Sequence, residues 1–160
     1  MLQFCELLEQ NPFIMWLAGN VITSTILEVC HYSGFFLLIG TSVVLDLRLM
    51  GIAARREPVP QLATYLRPLM WTGVVMVLVS GFLMFAGDAV EFWGAETFRV
   101  KLLVVLVAVL CGMLVYSKAA AWSEQPSISM SAKFVAVLSL VLWIGSILVS
   151  VEVPAISGVS

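Results

Sequence analysis

The sequence predicts an all-α polytopic membrane protein: a four-transmembrane-helix bundle with a short N-terminal interfacial helix, forming a single transmembrane domain over residues 1–160. Three observations lead there. The chain is 61% hydrophobic, against roughly 45–50% for ordinary soluble domains. Only 11% of it is charged and its mean hydropathy is +1.06, too few charges to solvate a water-exposed surface. Finally, its apolar residues fall into four separate stretches that each reach the roughly 20 residues a helix needs to cross a ~30 Å hydrocarbon core. A formal charge of −2 with eight Lys+Arg leaves neither a basic surface for nucleic acid nor an acidic tail.

In chain order, Asn11 caps a short helix over about 12–19 with Pro12 as its first residue, and Phe13, Ile14, Trp16 and Leu17 suit it to lie along the membrane surface. One helix from Pro12 to Gly51 would be about 60 Å long, twice the core thickness, so a break at Gly19-Asn20 is expected. The first span then runs over about 21–50. Gly51-Ile52 ends it, and Pro58 and Pro60 argue against helix in the connection. The second span covers about 66–86 with Pro68 in its first turn. The third covers about 98–122 and ends at Glu124 and Pro126; the fourth covers about 132–151 and ends at Pro154. The N-terminus does not read as a signal peptide, because it carries Glu6 and Glu9 and no Lys or Arg before the apolar region.

Orientation follows from the basic residues. The ends joining spans one to two and three to four hold Arg48, Arg55, Arg56, Arg67, Lys118 and Lys133, whereas the other side holds Arg99 and Lys101. Positive-inside counting places the first set in the cytoplasm and both termini outside, together with the Gly87–Thr97 loop and its Asp88, Glu91 and Glu96. Trp16 and Trp93 then belong to the outer aromatic belt and Trp71 and Trp122 to the inner one, while Trp143 falls mid-span and reads as a packing residue.

Ionisable groups inside spans are where function is sought. On the first span Ser24, Glu28, His31, Phe35, Leu38, Ser42 and Asp46 fall within a sector roughly 80° wide, and Arg48 points about 120° away from its centre. Glu28 and the single histidine, His31, are neighbours at i, i+3. They are expected to face protein, within the bundle or across an interface with another chain. One reading makes His31 and Glu28 a cofactor-binding pair, with His31 an axial ligand to haem b or a ligand to copper, or makes the two a proton relay; the other makes the pair a hydrogen-bonded register for the bundle. Asp46 and Arg48 point about 160° apart and should not pair, leaving Arg67 as a candidate partner for Asp46. On the fourth span Ser139, Trp143, Ser146 and Ser150 share a face with Gly145 as a small neighbour; the second span offers Gly73, Ser80 and Gly81 in the same packing sense. Lys101 either snorkels outward or pairs with Asp88 or Glu28. Cys5, Cys30 and Cys111 stand singly, without the spacing of a zinc or disulfide pair.

The series Glu28-Val-Cys-His31, Asp46-Leu-Arg-Leu-Met-Gly51, Gly81-Phe-Leu-Met-Phe-Ala-Gly-Asp88-Ala and Phe98-Arg-Val-Lys101 resembles a bacterial integral-membrane family catalogued as domain of unknown function 6644. The resemblance covers about Glu28 to Tyr116, and its most specific part is Asp-Leu-Arg-Leu followed by Gly. It implies no activity. It implies an Asn and a His near the end of the third span in many members; this chain reads Gly112-Met-Leu-Val-Tyr-Ser117 there, which removes a second ligand for a self-contained bis-histidine haem.

Two function classes remain. The first is a non-catalytic membrane subunit that binds copies of itself or other subunits of a larger complex in the bilayer. The second is a haem- or quinone-binding electron-transfer protein using His31, and metal or ion transport is a thinner third. No Ser/His/Asp signature, metal-ligand cluster or phosphate-binding glycine loop points to an enzyme.

Overall fold

The computed structural model describes residues 2–123 and 128–157, with backbone alone at 120, 122, 123 and 150–157. Seven helices make it up: α1 (Leu2–Glu9), α2 (Pro12–Gly19), α3 (Val21–Leu49), α4 (Val59–Gly87), α5 (Ala89–Gly94), α6 (Glu96–Ser123) and α7 (Met130–Ser157). Of these, α3, α4, α6 and α7 are long and apolar enough to cross a membrane, the make-up of a multi-pass membrane protein. α3 packs on α4 and α7, and α6 packs on α7 and α4, so successive spans are neighbours and the last closes the ring against the first. The core runs down the ring's interior through Leu38, Leu45, Leu49, Met70, Ala108, Val115, Ala136 and Trp143.

Local chemistry sets the helix ends. The Asn11 side chain accepts from Phe13 N at 2.9 Å and opens α2; the Asn20 side chain accepts from Ile22 N and Thr23 N and opens α3. Two Asn caps nine residues apart thus break what would otherwise be one overlong helix. α3 stops in a Schellman motif: Gly51 N donates to Arg48 O and Ile52 N to Leu47 O, with Gly51 at φ +73°, a conformation glycine adopts without Cβ strain. Arg48 Nε then donates to Glu57 O at 2.7 Å and folds the connection back.

Four boundaries differ from the sequence expectation. α4 begins at Val59 rather than near Leu66, because Pro60 sits in the first turn, where no N–H is needed. Pro68 consequently lies inside α4. α7 remains helical to Ser157 instead of ending near 151, since a membrane helix can accommodate a proline without ending at it. The Gly87–Thr97 loop contains α5, and residues 2–9 form α1, neither of which is foreseen by span counting. These two short helices pack together, with Glu9 Oε1 accepting from Val90 N at 2.8 Å and Cys5 and Ala89 buried. Phe98 stacks on Phe85 at 5.5 Å and lies 5.1 Å from Phe92, joining α6 to α4 and α5. The proposed third-span stop at Glu124 and Pro126 lies outside the described residues, as do the side chains of Trp122 and Ser150.

The tightest contact is between α3 and α4. A Cβ on Gly73 would stand 2.8 Å from Gly34 O and 2.9 Å from Leu38 N, and one on Gly34 would stand 2.8 Å from Met76 Cβ. Those are backbone and Cβ atoms that cannot swing aside, so glycine is what lets the helices approach. Gly145 is different: nothing lies within 4 Å of the place its Cβ would take, so it is not the close-packing residue of the fourth span. Gly73→Ala is therefore expected to destabilise the protein by about 1–3 kcal/mol. Gly145→Ala should be neutral or stabilise by up to about 1 kcal/mol. Reversible unfolding in bicelles measures both.

Candidate functional site

The polar side chains of the spans gather in two layers, separated along α3 by the 15 positions from His31 to Asp46, or about 22 Å. The layer nearer α5 is built on His31. Its ring is half-buried between α3 and α4, its Nδ1 is 3.0 Å from Ser80 Oγ, and it lies against Gly81, where a Cβ would come within 2.8 Å of Cε1. Phe35 meets the ring edge-on at 5.2 Å and Tyr32 at 6.3 Å. Ser80 also donates to Met76 O in its own helix, which leaves its lone pairs to accept from the histidine. Half-buried Lys101 of α6 is close enough for its charge to act on the ring, and among the described residues it pairs with neither Asp88 nor Glu28.

Glu28 does not join this layer. Its side chain is exposed on the surface of the chain, which corrects the expectation that it faces protein within the bundle beside His31. Helical spacing gives the direction of a side chain, but not whether a neighbouring helix stands opposite at that height. The first turns of α3 are largely uncovered, with Val21, Ile22, Ile26 and Val29 all exposed, and burial takes hold only from Gly34 onward.

The second layer lies toward the 51–58 connection. Asp46, Ser139 and Ser146 are buried to 1%, 0% and 0% exposure, and Thr41, Ser42, Tyr116 and Trp143 are buried beside them. Ser42 donates to Leu38 O, Ser146 to Trp143 O, and Tyr116 Oη to Thr41 O at 3.4 Å, a long bond that ties α6 to α3. Gly112 is packed with Ser42 Oγ 3.7 Å from where its Cβ would be. Ser139 faces the Asp46 carboxyl across the α3–α7 contact. Even so, Asp46 Oδ2, Ser139 Oγ and Trp143 Nε1 find no hydrogen-bond partner among the described residues.

Of the remaining polar positions, Arg48 holds the 51–58 connection and does not pair with Asp46. Arg67 is exposed, so the expected Asp46–Arg67 pair is not made: a carboxyl directed into the ring faces α7, away from the rim where Arg67 meets solvent. Asp88 is exposed at the α4–α5 junction and its side chain caps neither helix. Tyr116 and Thr41 are the polar members that sequence reasoning missed. Thr41 sits next to Ser42, and Tyr116 lies within the apolar 112–117 stretch near the end of the third span.

Chemically, His31 offers one ring nitrogen to Ser80 and its face to Gly81. A haem needs a slot beside its ligand, and between α3 and α4 the ring itself fills the space left by the glycine. No group of three or more His, Cys, Asp and Glu gathers as a metal-ligand set among the described residues. The three cysteines are free thiols on separate helices. No family model, curated protein or solved structure matches the chain.

Gly81→Val is expected to push the ring off Ser80 and destabilise the protein by about 1–3 kcal/mol. Ser80→Ala, which removes the hydroxyl without crowding the ring, should cost about 0.6 kcal/mol, near the average for an interhelical hydrogen bond in a membrane. Equal losses for the two, read from unfolding midpoints in the same detergent, would show that the glycine notch does not seat the ring.

Proposed function

We propose that this protein is a non-catalytic integral subunit of a bacterial inner membrane: a four-span bundle that associates with copies of itself or with other subunits of a larger membrane complex. The observation that carries this reading is the use made of His31, the side chain best suited to chemistry. Its ring fills the Gly81 notch and its Nδ1 meets Ser80, which is the work of an interhelical packing residue. The exposed Glu28, on the same surface as exposed Tyr32 and Phe36 of α3, supplies a polar group for a partner chain to meet within the bilayer. Asp46-Leu-Arg-Leu-Met-Gly51 resembles a membrane family of unassigned function, which adds no activity to this reading. In this chain those residues have structural uses: Asp46 toward α7, Leu45 and Leu49 in the core, Arg48 on the connection and Gly51 in the Schellman turn.

Protein purified in mild detergent should show no Soret band and should migrate as an assembly larger than one chain. His31→Gln, which keeps a hydrogen-bonding side chain, should leave that assembly intact. A visible haem spectrum lost in His31→Gln, with assembly unchanged, would replace this reading with electron transfer.

The six-to-two distribution of basic residues supports both termini outside and the 51–58 connection in the cytoplasm. A C-terminal alkaline-phosphatase fusion should be active and a C-terminal fluorescent-protein fusion dark; the reverse pair would invert the topology.

A further inference from the structure

We propose that Lys101 Nζ donates to His31 Nε2 across the interior of the bundle, so that the histidine is held as its Nδ1–H tautomer and links α4, α3 and α6 in one polar chain. Two matching stripes place the side chains opposite each other. On α3, His31 is followed at i+7, i+11, i+14 and i+18 by Leu38, Ser42, Leu45 and Leu49, all buried. On α6, Lys101 is followed at the same intervals by Ala108, Gly112, Val115 and Ala119, again all buried. Those intervals fall within a sector of about 60° on a helix, so both residues continue faces that look into the ring. As first and third spans, α3 and α6 run in the same direction, and Ser42 Oγ lies 3.7 Å from the place a Gly112 Cβ would take. Eleven positions back along each helix, about 16 Å, stand His31 and Lys101, level with one another. Each is half-buried, and the Lys101 charge reaches the ring. Since α3 and α6 lie diagonally across the ring, each packed on α4 and α7, two long side chains are needed to span the gap, as Tyr116 does to Thr41 nearer the 51–58 connection.

The donors and acceptors around the ring fix its proton. Ser80 Oγ gives its single proton to Met76 O, so toward Nδ1, 3.0 Å away, it can only accept. The Val77 backbone is a second partner of the ring; its N–H belongs to the ladder of α4, which leaves its carbonyl, another acceptor. α4 thus offers acceptors alone, and the ring proton sits at Nδ1. A second ring proton would set an imidazolium against the Lys101 ammonium inside the bundle, two like charges poorly screened by water. Nε2 is then a bare acceptor. Lys101 brings three donors and makes no hydrogen bond or ion pair among the described residues, an expensive state for an ammonium within a span. Each group supplies what the other lacks.

This link rests on the reading of His31 as a helix-joining side chain but not on assembly with other chains, so its test and the assembly test fail independently. The experiment uses the full chain in lipid nanodiscs with ¹⁵N-labelled histidine. His31 is the only histidine, and its nitrogens are told apart because Nε2 couples to both carbon-bound ring protons and Nδ1 to one. At neutral pH Nδ1 should resonate as a protonated ring nitrogen and Nε2 as a bare one, displaced to lower frequency by the incoming donor. Lys101→Met, which keeps the side chain's length and removes its charge, should return Nε2 to the frequency of a free bare nitrogen while Nδ1 stays in place. A proton on Nε2 in wild type, alone or together with one on Nδ1, would overturn the proposal, as would an Nε2 frequency that Lys101→Met leaves unchanged. Should that variant fail to insert, wild type carrying ¹⁵Nζ-lysine and ¹³C-histidine decides the question. A dipolar contact between Nζ and the ring carbons supports the link and its absence overturns it, because Lys118 and Lys133 stand at the opposite ends of their helices.

Discussion

The backbone contact between Gly73 and Gly34 sets the position of nearly everything else on α3 and α4. In a bilayer the lipid tails are as apolar as the side chains, so helices gain little from hydrophobic burial alone and associate through close packing and hydrogen bonds. With Gly73 against Gly34 O and Leu38 N, the two helices come near enough that the next polar residues toward α5 must interlock. His31 then has a place only because position 81 lacks a side chain, and Ser80 gains a partner on the facing helix because His31 reaches it. Widening that contact by one methyl group would separate the ring from Ser80 as well.

Toward the 51–58 connection the bundle relies on different chemistry. The ring of helices closes through α3 and α7, where Ser139 on α7 meets the Asp46 carboxyl on α3, and Tyr116 adds a crossing tie from α6 to α3. Buried polar groups of this kind hold one arrangement of helices against others, because turning them outward would set them against hydrocarbon. The two layers divide the work: glycines and histidine fix the α3–α4 pair, and the Asp46 layer fixes how α6 and α7 sit on it.

Much of this is legible in the residues. Hydropathy and helix length place the four spans, and Asn11 and Asn20 announce the break between α2 and α3 because an Asn side chain can hold the first free N–H groups of a helix. The serine and tryptophan spacing of α7 gives its buried face, and Gly73 and Gly81 give the packing face of α4. What periodicity cannot supply is the presence of a neighbour. Glu28 and His31 share a direction on α3, yet only His31 has a helix opposite it, and Gly145 has the composition of a packing residue but stands in open space. Boundaries near prolines move for a related reason: Pro60 begins α4 because the first turn needs no donor, so a residue read as a breaker serves as a start. The α1–α5 contact depends on Glu9 and Val90, 81 positions apart, a distance no local pattern spans.

The central claim is that the polar residues of the spans join helices to one another, with His31 foremost among them. A double-mutant cycle between His31→Ala and Ser80→Ala, read as unfolding free energy in bicelles, addresses it most directly because the cycle isolates the pair from the effects of each truncation. The account predicts a coupling of about 0.5–1.7 kcal/mol, the range of interhelical hydrogen bonds in membranes. Additive effects of the two substitutions, with no coupling between them, would contradict it.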